Sequence, residues 1–183
     1  MKIPRLLSIL PTVAVLSLLA PPRTAAVIEE PLPRYLGRYG KPTHEMSVDP
    51  QHPGFIYRRG PYAIFAVFEK DRSVGEMIFK TNGMSAVDIA NLLRQNGAGL
   101  PWRKENLTKG KGDEEKMRAQ GVLDLQVWSR TDGKAFATYM RTASGTGKNR
   151  QEAHVILVGT KKGVKLVTQM AQMNKQWIPK PVQ

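Results

Sequence analysis

Between Tyr62 and Gly97 the spacing of apolar residues changes from that of a strand to that of a helix. Tyr62-Ala63-Ile64-Phe65-Ala66-Val67-Phe68 has almost no polar side, as a central strand or one covered on both faces requires. Glu69-Lys70-Asp71-Arg72 is a polar connection, and Val74 to Thr81 returns as the second strand of a hairpin. Alternation places Val74 and Ile78 on one face of that strand and Met77 and Phe79 on the other. After Thr81-Asn82-Gly83, Ser85 is spaced to accept the first free amides of a helix, with Asp88 at the reciprocal position of a capping box. Ile89, Leu92 and Leu93 then recur at helical spacing, and Gly97 suits the left-handed conformation that ends a helix. The unit reads as β-β-α, its helix laid across a sheet.

A polar excursion from Gly97 to Gly121 follows, with Trp102 as its apolar anchor and a short helix at Asp113 to Ala119. Leu123, Leu125 and Val127 then alternate with Asp124, Gln126 and Trp128, as in a half-buried strand. Ser129-Arg130-Thr131-Asp132-Gly133 is a hairpin turn, Ala135 to Met140 returns antiparallel, and Ala153 to Val158 supplies another apolar strand. Val164 to Met173 fits both periods; it reads as a helix because the later strands also need cover. The fold class is α+β: a mostly antiparallel sheet covered on one side by helices, built from a β-β-α unit and a second β-rich unit.

The flanks differ in composition. Lys2 and Arg5 precede an apolar run from Leu6 to Ala20, and Thr24-Ala25-Ala26 supplies small residues suited to cleavage, the arrangement of a signal peptide. The run is broken by Pro11 and is short for a bilayer span, so no transmembrane anchor is expected after cleavage. The expected organisation is a leader at 1–26, a Pro-rich segment at 27–54, one domain at 55–178 and a tail at 179–183 that follows a docked Trp177. Within the Pro-rich segment, a turn of helix lays Tyr35, Leu36 and Tyr39 on the domain and ends at Gly40, His44 and His52 lie in a loop, and Phe55 to Arg58 forms an edge strand.

Arg38-Tyr39-Gly40-Lys41-Pro42, the tyrosine before the apolar hairpin, Leu92-Leu93-Arg94-Gln95-Asn96 and Trp102 together resemble a group of small exported proteins of Verrucomicrobia and similar bacteria. Members of that group carry an Arg-Tyr-Gly-x-Pro segment, a β-hairpin, and a Leu-Leu-x-x-Asn helix followed by a tryptophan. The resemblance covers about residues 34–105. It implies a signal peptide and the β-β-α unit, and it carries over no catalytic residue.

Charge narrows the partners. The 183 residues include 28 Lys and Arg against 15 Asp and Glu, a formal charge of +13, which falls to +10 when Lys2, Arg5 and Arg23 leave with the leader. Such a field favours an acidic envelope surface or protein, and it also admits anionic lipid, acidic glycan or nucleic acid. Basic residues beside aromatic ones mark the ligand-binding candidates: Arg34, Arg38, Tyr39, Arg58, Arg59, Trp102 and Arg130. The chain has no cysteine and so no disulfide framework. His44, His52 and His154 lack metal-ligand spacing, Lys109-Gly110-Lys111-Gly112 lacks the pattern of a phosphate-binding loop, and no cofactor motif is present. The expected function is a non-catalytic structural or binding role in the periplasm or outside the cell. A polyanion-binding protein is the alternative, and a phosphoester hydrolase using His44 or His52 with Arg58 is a remoter one.

Overall fold

The computed structural model describes residues 28–47, 49–80, 82–106, 113–145 and 150–173. The expected leader, the basic stretch 109–112 and the docked Trp177 lie outside them. The elements in order are α1 (Leu32–Tyr39), β1 (His44–Ser47), β2 (Pro53–Arg59), β3 (Tyr62–Glu69), β4 (Arg72–Lys80) and α2 (Ala86–Asn96), then β5 (Trp102–Lys104), α3 (Asp113–Ala119), β6 (Val122–Arg130), β7 (Phe136–Ser144), β8 (Gln151–Gly159) and α4 (Lys161–Met173). Eight strands form one sheet in the order β1-β2-β3-β4-β8-β7-β6-β5, and each of these neighbouring pairs is antiparallel.

The α+β class and the antiparallel sheet are as expected, but helices cover both faces rather than one. Ile64, Ala66 and Phe68 of β3 pack with Tyr35 of α1 and Ile89, Leu92 and Leu93 of α2. Phe65 and Val67, on the opposite face, pack with Val167 and Met170 of α4. The apolar run of β3 explains this, because a strand without a polar side exposes a row of hydrophobic residues unless both faces are covered.

A bulge alters the expected faces of β4. Val67 pairs with Gly75 and Phe68 with Ser73, so Val74 has no partner across the ladder. The extra residue turns Val74 to the α4 side with Met77 and Phe79, away from Ile78. Ser85 caps α2 as expected: its hydroxyl accepts from the Asp88 amide at 3.1 Å, while the Asp88 carboxylate accepts from the Ser85 amide at 2.8 Å. Gly97 has φ −72, and the left-handed positions are Ala98 and Gly99. Glycine is needed at 97 for room, since a Cβ there would stand 2.5 Å from the Leu100 carbonyl oxygen and 3.2 Å from Nε1 of Trp102.

The boundary at residue 55 falls inside the fold. Ile28 and Tyr35 are core residues, and β1 rather than β2 is the edge strand, pairing His44 with Ile56. His44 thus sits in a strand. Leu36, expected on the domain, is 38% exposed, whereas Tyr35 is fully buried. The excursion after Gly97 contributes β5, whose Trp102 pairs with Arg130. Trp128, placed by alternation on the polar side of β6, lies in the core on the α1 and α2 face.

Candidate functional site: an arginine-lined groove

The segment before α1 is tied to the start of β4 like an added strand. The Glu29 amide donates to the Ser73 carbonyl at 2.8 Å, the Ser73 amide to the Glu30 carbonyl at 3.0 Å, and the Leu32 amide to the Asp71 carbonyl at 2.8 Å. Pro31 then enters α1 in an extended conformation. Arg34 and Arg38, four residues apart, share one side of the short helix that follows. Across from them lie Arg94 and Gln95 in the last turn of α2, then Ala98 and Gly99.

Between these elements runs a groove of about 860 Å³ lined by Arg34, Arg38, Arg72 and Arg94, with Glu29 and Glu30 as its acids. Arg34, Arg72 and Arg94 are exposed. The Arg72 guanidinium donates to the Glu29 carbonyl at 2.8 Å and that of Arg94 to the Asn91 side chain at 2.9 Å, contacts that orient both groups without neutralising them. Two non-glycine residues of the groove, Glu29 at φ 74 and Ala98 at φ 51, hold the left-handed backbone conformation. Strain of that kind collects where a binding surface is held in place by surrounding structure.

Polar groups continue beneath the groove. Arg38 donates to Glu30 at 2.5 Å, and the Glu30 side chain is only 5% exposed. Tyr35, Tyr57 and Glu76 are all essentially inaccessible; the two tyrosine rings lie 5.1 Å apart, and both Glu30 and Arg38 act electrostatically on Glu76. Tyr35 faces Glu76, yet among the described residues neither its hydroxyl nor the Glu76 carboxyl completes a hydrogen bond of normal geometry. Burial, followed by the nearby Glu30 carboxylate, pushes the Glu76 carboxyl up to about 8 against the opposing pull of Arg38. Burial likewise raises both tyrosines, with Glu76 adding to each.

The seven residues selected from the sequence separate in space. Arg34 and Arg38 line the groove. Arg59 donates to the Arg38 carbonyl at 2.6 Å and lies 5.9 Å from the Tyr39 ring centre, so these two secure the end of α1. Alternation along β2 sends exposed Arg58 to the opposite face from Tyr57. Trp102 donates from Nε1 to the Leu93 carbonyl at 2.6 Å, and Arg130, 3% exposed, forms two 2.9 Å hydrogen bonds to Asp132. Those bonds commit both side chains to local structure. Sequence reasoning missed Arg72, Arg94 and Glu76. Only Glu76 left a local signal, a carboxylate among apolar residues on the inward row of β4.

The histidines lie elsewhere. His52 Nδ1 is 2.8 Å from Asp49 Oδ1 and its Nε2 is 3.5 Å from Glu69 Oε1, while Glu69 also pairs with Lys162. His154 accepts at Nδ1 from the Met84 amide at 3.1 Å and stands 2.9 Å from the Tyr139 hydroxyl. Burial, with Arg141 nearby, holds it below the ordinary histidine range. Among the described residues no group of three or more His, Cys, Asp or Glu is arranged to hold a metal ion. Nor is any described helix long and apolar enough to cross a membrane.

No protein-family model matches the chain, and no curated protein matches it in sequence. Among solved structures, it is similar to a cysteine-rich secretory protein from Staphylococcus aureus at 7% identity and a TM-score of 0.41, over 74% of this chain and 45% of that one. The chain therefore spans less than half the length of that protein, and likeness at this level says nothing about activity. What the structure itself shows is a small α+β domain carrying a basic groove between α1 and α2.

Proposed function

We propose that the chain is an exported, non-catalytic binding protein of the cell envelope that captures carboxylate, phosphate or sulfate groups of acidic envelope material in this groove. One observation carries the reading: Arg34, Arg72 and Arg94 reach the same groove, exposed, from α1, β4 and α2. Guanidinium groups suit such ligands because their planar forks pair two donors with two oxygens. Among the described residues the groove lining has no aromatic side chain, and Tyr35 and Tyr57 are buried, so these residues offer no stacking platform for bases. That favours acidic surfaces over nucleic acid. The leader-like pattern at Lys2, Arg5 and Leu6 to Ala26 supports export.

The test is binding of heparin, phosphatidylglycerol vesicles and single-stranded DNA across a salt series, for the wild type and an Arg34→Ala/Arg94→Ala double variant. The expected result is saturable binding to heparin or vesicles, weakened at least roughly tenfold in the variant and with a shallower salt dependence. Equal binding by the two proteins removes the groove from the reading, and preferential binding of DNA replaces envelope material as the partner.

A further inference from the structure

We propose that Glu76 sets the affinity of the groove, so that capture of an anion is coupled to uptake of a proton at this buried carboxyl. The proposal rests on the groove reading above and adds a residue that does not line the groove. Its geometric basis is one face of β4 beneath α1: the Glu30 amide donates to the Ser73 hydroxyl at 3.2 Å, Ser73 and Glu76 pair with Phe68 and Ala66 of β3, and the Phe68 ring packs 5.1 Å from that of Tyr35. Glu30 and Arg38 belong to the groove wall and are paired to each other, and both act electrostatically on Glu76 behind them. Glu76 is wholly inaccessible, and among the described residues neither of its carboxyl oxygens completes a hydrogen bond of normal geometry, the Tyr35 hydroxyl being the polar group that faces it. Glu30 Oε2 and Arg38 Nη1 are likewise buried without partners.

Among the described residues the titratable groups that act on or with Glu76 are Glu30 from the segment before α1, Tyr35 and Arg38 from α1, and Tyr57 from β2. Its cross-strand neighbours are Ala66 on β3 and Val158 on β8, which bring no charge. With Glu76 protonated, the Glu30–Arg38 pair is balanced and the groove arginines set the local field. Ionised Glu76 adds an uncompensated negative charge beneath the same arginines, in surroundings where water screens it poorly. An anion and the Glu76 carboxylate therefore oppose each other. By linkage, bound anion favours the protonated carboxyl, and protonation favours bound anion. Burial already places that equilibrium near neutral pH, so the coupling acts in a range the envelope experiences.

Sulfate is the probe, because its charge does not change between pH 6 and pH 9. In the full chain its affinity is expected to fall roughly threefold to tenfold from pH 6 to pH 9, and in Glu76→Gln to stay near the low-pH value throughout. A parallel pH dependence in the two proteins overturns the proposal. A second measurement needs no variant. Calorimetric titration of the wild type with sulfate near pH 8, in two buffers of different ionisation enthalpy, is expected to show proton uptake, and equal heats in both buffers overturn the proposal. Arg34→Ala/Arg94→Ala separates the two readings. Weaker sulfate binding at every pH in that variant upholds the groove even where the coupling fails, whereas no sulfate binding by the wild type overturns both.

Discussion

Replacing Gly163 with alanine sets helix propensity against packing. Gly163 lies in the first turn of α4, where alanine alone would add about 1 kcal/mol of stability. At this position, however, α4 meets the sheet backbone to backbone. A Cβ on Gly163 would overlap the Val74 carbonyl and come within 2.8 Å of the Gly75 amide nitrogen. The partner surface is just as close: a Cβ on Gly159 would stand 2.6 Å from the Val74 carbonyl oxygen. Neither backbone can rotate away, because Thr160 donates its amide to that same carbonyl at 2.9 Å and its hydroxyl accepts from the Gly163 amide at 3.0 Å. The helix must lift. Val167 and Met170 are 0% and 1% exposed, and a gap of roughly 1 Å forfeits a quarter to a half of the dispersion energy of such side chains, about 1–2 kcal/mol each. Adding about 1 kcal/mol for the loosened cap and subtracting the propensity gain gives a net loss of roughly 2–4 kcal/mol. Urea denaturation followed by circular dichroism measures it. Gly37→Ala in α1 is the control: no atom of the described residues lies within 4 Å of a Cβ placed there, so it is expected to be neutral or stabilising by up to about 1 kcal/mol. A Gly163→Ala protein as stable as the wild type would refute the close-approach argument.

Glu76 also governs stability. Its folded-state pKa lies above the ordinary carboxyl value, so its contribution is fully present below about pH 4.5 and is lost as pH rises toward about 8. Each pH unit in that window removes up to about 1.4 kcal/mol, and Glu76→Gln is expected to abolish the slope in denaturation midpoints measured from pH 5 to pH 9. Asp88 behaves in the opposite sense: bonds from Lys80, first, and from Ser85 and Tyr62 hold its carboxyl well below the usual range, so the stability it provides at neutral pH is lost in acid. Asp88→Ala is expected to cost about 1–2 kcal/mol and to speed amide exchange in the first turn of α2. Trp102→Phe removes the bond to Leu93 at a cost of about 1 kcal/mol, and heparin affinity is expected to stay unchanged, since Trp102 does not line the groove. A loss of affinity in that variant would return Trp102 to the binding surface.

Features that depend on near neighbours along the chain are legible before any fold is known. Ser85 and Asp88 cap α2 because the capping box is a three-residue relation, and the apolar run at Tyr62 to Phe68 marks a buried strand wherever that strand lies in a sheet. Val164 to Met173 is helical, as strands left bare on one face require. Tertiary structure decided the rest. Only the bulge opposite Val67 and Phe68 reverses Val74, and only the placement of β8 beside β4 brings α4 onto the second face. The groove is of the same kind. Arg34, Arg72 and Arg94 have no common spacing, and they become one surface because residues 28–32 pair with the start of β4 while α2 crosses the same face. Burial is likewise a property of the assembled sheet: Glu76 is an ordinary carboxylate in the chain and a proton-holding group only once Tyr35, Tyr57 and the Glu30–Arg38 pair have closed over it.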